Sequence, residues 1–182
     1  EGEAVEASEI GEDDFAYLGN SIPKYNLGLT NNFTIGKFDV SLLIRSALGF
    51  NSVNGKRVFH ENLTYFGRNN LFTSAISDGI QAEPTFSSYY LEKGDFLKVD
   101  NLTIGYTLPI RKNNYLQNIR VYFTGANLIT FSGFSGTDPE LGLNYFPPDD
   151  PNAEVTDGPG VENNYSYYPS TRSFTFGINV SF

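Results

Sequence analysis

Five stretches of this chain alternate apolar and polar residues with period two, and the segments joining them alternate strictly between short and long. Such alternation marks strands with one apolar and one polar face. In Tyr25–Ile35, Tyr25, Leu27, Leu29, Phe33 and Ile35 share one face, and Asn26, Gly28, Thr30, Asn32 and Thr34 the other. Residues 37–48 set Phe38, Val40, Leu42 and Ile44 against Asp39, Ser41 and Arg45. A third stretch ends in Leu102, Ile104, Tyr106 and Leu108, with Asn101, Thr103, Gly105 and Thr107 opposite. In 118–131, Ile119, Val121, Phe123, Ile129 and Phe131 align. The last stretch sets Phe174, Phe176, Ile178, Val180 and Phe182 against Ser173, Thr175, Gly177, Asn179 and Ser181. Leu97 and Val99 fall out of phase with Leu102 and Ile104, which predicts a bulge or an exit from the membrane there.

The first and second stretches meet at Gly36-Lys37, and the third and fourth are joined by 109–117. The other two connections, 49–95 and 132–171, run to 47 and 40 residues. Soluble all-β domains have no reason to segregate loop length, and long structureless loops are uncommon in compact domains. Outer-membrane barrels do segregate it, with short turns on the periplasmic side and long loops outside. The expected fold is therefore all-β, a set of antiparallel strands from a transmembrane barrel. The apolar residues, among them Phe38, Val40, Leu42, Ile44, Phe174, Phe176, Ile178 and Val180, are expected to face lipid, and the small polar residues to face the lumen. If the long connections are extracellular, the fifth strand ends in the periplasm at Phe182, and a terminal Phe on an alternating strand resembles the C-terminal signal of bacterial outer-membrane barrels. The rival from another class is a soluble β-sandwich binding or adhesion module, which also alternates but buries its apolar faces between two sheets.

Composition agrees with strands and turns. Aromatics make up 15% of the residues, with 16 Phe and 12 Tyr, and Gly is abundant. The net charge of −9, with seven acids ahead of the first base, Lys24, argues against nucleic-acid binding. Without cysteine there is no disulfide, thiolate metal site or cysteine nucleophile. No apolar run approaches the roughly 18 residues that a membrane-crossing helix needs, a test that barrel strands escape. No secretory signal opens the sequence at Glu1, as expected if this is the tail of a longer chain.

Several segments carry a resemblance. They are Gly94-Asp95-Phe96-Leu97-Lys98-Val99-Asp100-Asn101-Leu102-Thr103-Ile104-Gly105-Tyr106-Thr107-Leu108-Pro109, then Arg120-Val121-Tyr122-Phe123-Thr124-Gly125-Ala126-Asn127-Leu128, then Gly136-Thr137-Asp138-Pro139-Glu140, and Tyr168-Pro169-Ser170-Thr171-Arg172-Ser173-Phe174-Thr175-Phe176-Gly177. Upstream lies Leu18-Gly19-Asn20-Ser21-Ile22-Pro23-Lys24-Tyr25. In this order they resemble the SusC/RagA-type TonB-dependent transporters of Bacteroidetes. The resemblance implies a large outer-membrane barrel of about 22 strands with a plugged lumen, of which this chain supplies the C-terminal five. Residues 1–24 would be an acidic extracellular loop segment, and 25–182 the C-terminal part of the barrel with long loops 49–95 and 132–171. The family imports oligosaccharides or peptides, with a SusD-like surface lipoprotein as lid and energy relayed by TonB to the plug. The implied partners are the remainder of the same barrel with its plug, the SusD-like lipoprotein, TonB through the upstream part, and outer-membrane lipid. No enzyme activity and no cofactor are implied. Five strands with two open edges cannot stand alone in lipid, where every backbone N–H and C=O needs a partner, so the rest of the barrel is expected upstream.

Within the chain His60 is the only histidine, which excludes a multi-histidine metal centre, and no Ser-His-Asp arrangement is read around it. Asp138, Glu140, Asp149, Asp150, Asp157 and Glu162 crowd the last long connection, where a solvated loop is the plainer reading and calcium the alternative. Asp138-Pro139-Glu140 is read as fixing the start of that loop. Tyr89, Tyr90, Tyr165, Tyr167 and Tyr168 flank the long connections, as an interfacial aromatic girdle or as stacking platforms for sugar rings. Those tyrosines, with Asp138 and Glu140, are the candidate substrate-binding residues. Asn-x-Ser/Thr at Asn32, Asn62, Asn101, Asn164 and Asn179 is what chance supplies in an Asn- and Thr-rich chain.

Overall fold

The five alternating stretches become five strands of one antiparallel sheet in the computed structural model, which describes residues 11, 16–81, 87–110, 116–140, 160–162 and 168–182. These strands are β1 (Tyr25–Ile35), β2 (Phe38–Leu48), β5 (Phe96–Thr107), β6 (Asn118–Ser132) and β8 (Ser173–Ser181). Their order in the sheet is β1-β2-β5-β6-β8, so each strand lies beside its predecessor among the five. Among the described residues, β1 has no partner on the edge away from β2, and β8 none on the edge away from β6. The sheet is open at both edges.

Register keeps the two faces distinct across the full width. Phe33 pairs with Val40, Val40 with Ile104, Ile104 with Phe123, and Phe123 with Phe176, which makes one apolar row. The adjacent row is polar, running Asn32, Ser41, Thr103, Thr124, Thr175. Directly opposed residues in a sheet point to the same side, so five sequence patterns add up to one apolar and one polar surface. The phase break in the third stretch is a bulge. Leu43 pairs with Asn101 and Ile44 with Val99, which leaves Asp100 as the extra residue and returns Leu97 and Val99 to the apolar face. The β1–β2 turn is Gly36-Lys37, with Gly36 at φ +62°, a conformation that favours glycine at this position of a tight turn.

The chain divides into two units: Pro23–Gly49, Asp95–Gly133 and Tyr168–Phe182 form the sheet, and Glu1–Ile22, Phe50–Gly94 and Phe134–Tyr167 form the other, here called the loop unit. The two long connections, which carry no strand pattern in the sequence, thus contain structure of their own. Short strands β3 (Asn51–Asn54), β4 (Leu91–Lys93) and β7 (Val161–Glu162) make a second sheet in the order β4-β3-β7. In it β3 pairs antiparallel with β4 and parallel with β7, more than 100 residues away. Helices α1 (Gly55–His60) and α2 (Ser74–Asp78) and single 3₁₀ turns at Leu63–Tyr65 and Ser88–Tyr90 complete it. Phe50, Val58, Ala75, Tyr90 and Phe134 are its buried apolar residues.

Candidate functional site

The sheet presents two chemically opposite surfaces. On the apolar side Phe38, Phe174, Phe176, Ile178 and Val180 are exposed, Phe176 to 80%, while Val40, Leu42 and Ile44 are half-buried by their neighbours. Phe123 stacks nearly parallel to Phe174 at 5.8 Å and lies tilted 4.9 Å from Phe176. Phe38 meets Tyr106 at 4.6 Å. These ring contacts join neighbouring strands along the apolar face.

The polar side is cross-braced. Arg120 on β6 extends over Gly105 of β5 to form a bidentate pair with Asp39 on β2, with its guanidinium also 5.2 Å from the Tyr122 ring. A side chain at Gly105 would occupy the path of that guanidinium, and Tyr122 likewise lies over Gly177 of β8. Arg45 holds the bulge residue Asp100 through Nε and Nη2, at 2.8 and 3.1 Å. Thr103 and Thr124 share a hydroxyl hydrogen bond of 2.9 Å. Lys98 is buried and donates from Nζ to Ser170. Such pairing satisfies the polar groups of this face within the sheet itself.

In the loop unit, charged side chains on separate segments converge. Asn54 caps α1 by accepting from the Arg57 amide, which sets Lys56 and Arg57 at the start of the helix. Arg57 binds Glu61 at 2.8 Å and Glu92 at 3.0 Å, and its guanidinium stands 5.2 Å from the Tyr89 ring and 5.9 Å from the Tyr90 ring. Burial lowers the Arg57 pKa, but its bonds to Glu92 and Glu61 outweigh that and raise it above its ordinary value. Glu92 accepts from the Ser135 amide at 2.6 Å and the Ser135 hydroxyl at 2.7 Å. Burial pushes the Glu92 carboxyl up, yet the Ser135 amide and hydroxyl, Arg57 and Asn54 together hold it below the usual carboxylate range. Glu162, almost wholly buried, accepts from the Thr137 amide at 3.0 and 3.2 Å and from Lys56 at 3.1 Å. Hydrogen bonds to charged groups contribute about 1.5–3 kcal/mol each, so this network can hold loops that lack a large apolar core.

The candidate substrate residues occupy different settings. Tyr89 is half-exposed and edge-on to buried Tyr90, with ring centroids 5.0 Å apart. Burial and the hydrogen-bonded, negatively charged Asp78 raise the Tyr89 phenol, and burial with Glu61 raises that of Tyr90. Asp138 is buried, and its carboxylate accepts from the Glu140 amide at 3.0 Å. Tyr168, in the sheet unit just ahead of β8, is exposed. Tyr165 and Tyr167 lie outside the described residues, as do Asp149, Asp150, Asp157 and Asn164. His60 uses Nδ1 to contact the Asn70 carbonyl at 2.7 Å and packs against Phe72. Among the described residues no group of three or more His, Cys, Asp or Glu is placed to hold a metal ion. The Arg57, Glu92 and Glu162 network was not foreseen from sequence, because its members are far apart and follow no period.

No family model matches the chain. Over 96% of its length it is 28% identical to TonB-dependent receptor P3 of Formosa agariphila, and over 86% it is 25% identical to TonB-dependent receptor SusC of Bacteroides thetaiotaomicron. It spans 18% and 15% of those proteins. Among solved structures it is similar to the RagAB peptide transporter, with a TM-score of 0.65 at 22% identity, and to the RagAB peptide importer in its closed-closed state, with 0.68 at 23%. Each match covers 90% of this chain and 18% of the other. Sequence similarity along nearly the whole chain, joined to the fold it shares with RagAB, makes the chain similar to one segment of the SusC/RagA-type TonB-dependent transporters.

Proposed function

We propose that this chain supplies the C-terminal five strands of an outer-membrane import barrel, with its apolar sheet face against lipid, its polar face lining the lumen, and its two long connections outside the cell. The carrying observation is the five-strand sheet with a continuous exposed apolar face, a cross-braced polar face and two open edges. A soluble sandwich would bury Phe174, Phe176 and Ile178, which are exposed here. Open edges in hydrocarbon leave unpaired backbone groups, each costing several kcal/mol by order of magnitude, so the missing neighbours of β1 and β8 are strands of the same barrel.

The cargo is an oligosaccharide or a peptide, taken up with a SusD-like surface lipoprotein and driven through TonB by the upstream part of the protein. Similarity to the RagAB peptide transporter and to TonB-dependent receptor SusC supports this reading without choosing between the two cargo classes. Tyr89, Glu140, Tyr165, Tyr167 and Tyr168 are the proposed contacts for cargo, with buried Tyr90 and Asp138 supporting Tyr89 and Glu140.

Single cysteines in the full-length transporter test the arrangement. Cysteines at Phe176 and Ile178 should react with a membrane-embedded reagent and resist a water-soluble one, whereas cysteine at Thr175 should show the reverse preference. The opposite pattern removes the transporter orientation. Protease added to intact cells should cut only within 49–95 or 132–171; cuts confined to Gly36-Lys37 or 109–117 would invert the topology.

A further inference from the structure

The loop unit contains two carboxylates with matched roles. Glu92 accepts from the amide of Ser135, and Glu162 from the amide of Thr137, so the two grip alternate amides of one short segment. Each carboxylate has its own cation, and the cations are consecutive residues of α1: Arg57 pairs with Glu92 and Lys56 with Glu162. Lys56 also donates to the Thr137 hydroxyl, and Asn54 to the Ser135 hydroxyl at 3.1 Å. Between the two gripped amides stands Gly136, where a Cβ would collide with the Glu162 carboxylate and the Phe134 ring. Asp138 continues the pattern by accepting from the Glu140 amide.

The origins of these groups matter. Asn54, Lys56, Arg57 and Glu92 come from the connection between β2 and β5, whereas Ser135, Thr137 and Glu162 come from the connection between β6 and β8. The same two connections also meet through the Val53 amide and the Ser52 hydroxyl, which both donate to the Gly160 carbonyl. Side chains that bridge separate segments this way restrain both, because breaking one grip leaves a desolvated carboxylate or amide without its partner.

We infer that residues 134–140 form a strap locked by a two-carboxylate clamp, Glu92 with Arg57 and Glu162 with Lys56, and that this clamp makes the two long connections a single mechanical body. A force or ligand acting on one connection is then transmitted to the other. The clamp stands on loop geometry alone, so its test is independent of cargo and lid.

Hydrogen exchange on the purified full-length transporter in detergent measures it amide by amide. Glu92→Gln should speed exchange at Ser135, and Glu162→Gln at Thr137, each by about tenfold or more, since a charge-assisted bond becomes a neutral one. Lys56→Gln, a change in the first connection, should speed exchange at Thr137 in the second and leave sheet amides unchanged. Unaltered exchange at both Ser135 and Thr137 in the two glutamine variants would overturn the clamp. Should the carboxylate variants expose the entire loop unit, Lys56→Gln decides: faster exchange centred on Thr137 supports the clamp, and no change there refutes it.

Discussion

Arg120 and Asp39 form a bidentate ion pair although they sit on strands that do not touch, with the whole of β5 between them. The pair exists because Gly105 on the intervening strand has no side chain to block the guanidinium. Three strands are thereby tied by one contact on the polar face.

Replacing Gly105 with valine should displace Arg120 and break this tie. The expected loss is about 0.5–3 kcal/mol, the usual range for a destabilising single substitution. Urea titration of the folded barrel, followed by its shift on unheated gels, measures it. Asp39→Asn added to Gly105→Val should cost little more, because both changes remove the same interaction.

Neighbouring residues on β8 should respond oppositely to charge. Phe176→Lys places an ammonium on the proposed lipid face and should destabilise the barrel by about 2–4 kcal/mol near the bilayer midplane. Thr175→Lys, on the polar face, should be tolerated. Equal tolerance of both in an assembly and stability assay would exclude lipid on the Phe176 side.

Acidification should loosen the loop unit late rather than early. Glu92 is held below the usual carboxylate range in the folded protein, so its stabilising contribution is complete above the ordinary Glu pKa and is lost as pH falls through the lowered value. Protease resistance of the loops should therefore stay level from pH 7 to about 5 and drop in more acidic buffer. Glu92→Gln should lower the resistance at pH 7 and flatten its dependence on acid.

Removal of Phe182, the exposed residue that follows β8, should reduce the amount of transporter inserted in the outer membrane while leaving its synthesis unchanged. Quantifying full-length protein in outer-membrane fractions checks this. Unchanged insertion would count against a role for Phe182 in assembly.

The sheet was legible in the sequence because each of its strands carries its own record. Alternation places β1 at Tyr25–Ile35, and the other four strands lie within a residue or two of their alternating stretches wherever that pattern had bounds. Even the fault at Leu97–Val99 was visible as a broken phase, and it is the bulge at Asp100. Gly94–Pro109 and its companion segments carry a resemblance to the same transporters with which the chain shares 28% and 25% identity. The contents of the long connections were not legible. Strands of two to four residues, such as β3, β4 and β7, are too short to show a period, and the parallel pairing of Val53 with Val161 bridges 108 residues.

The sequence by itself determined which residues of each strand face which way, since a period of two is a local property that any extended segment must obey. Only the tertiary structure decided which polar residues meet. Arg120 finds Asp39 two strands away, over the intervening Gly105, and Glu92 of the first long connection and Glu162 of the second close on the amides of Ser135 and Thr137. The physical reason is that burial of an apolar face follows from pattern, whereas hydrogen bonds and ion pairs act over a few ångströms and form only where folding brings specific atoms together.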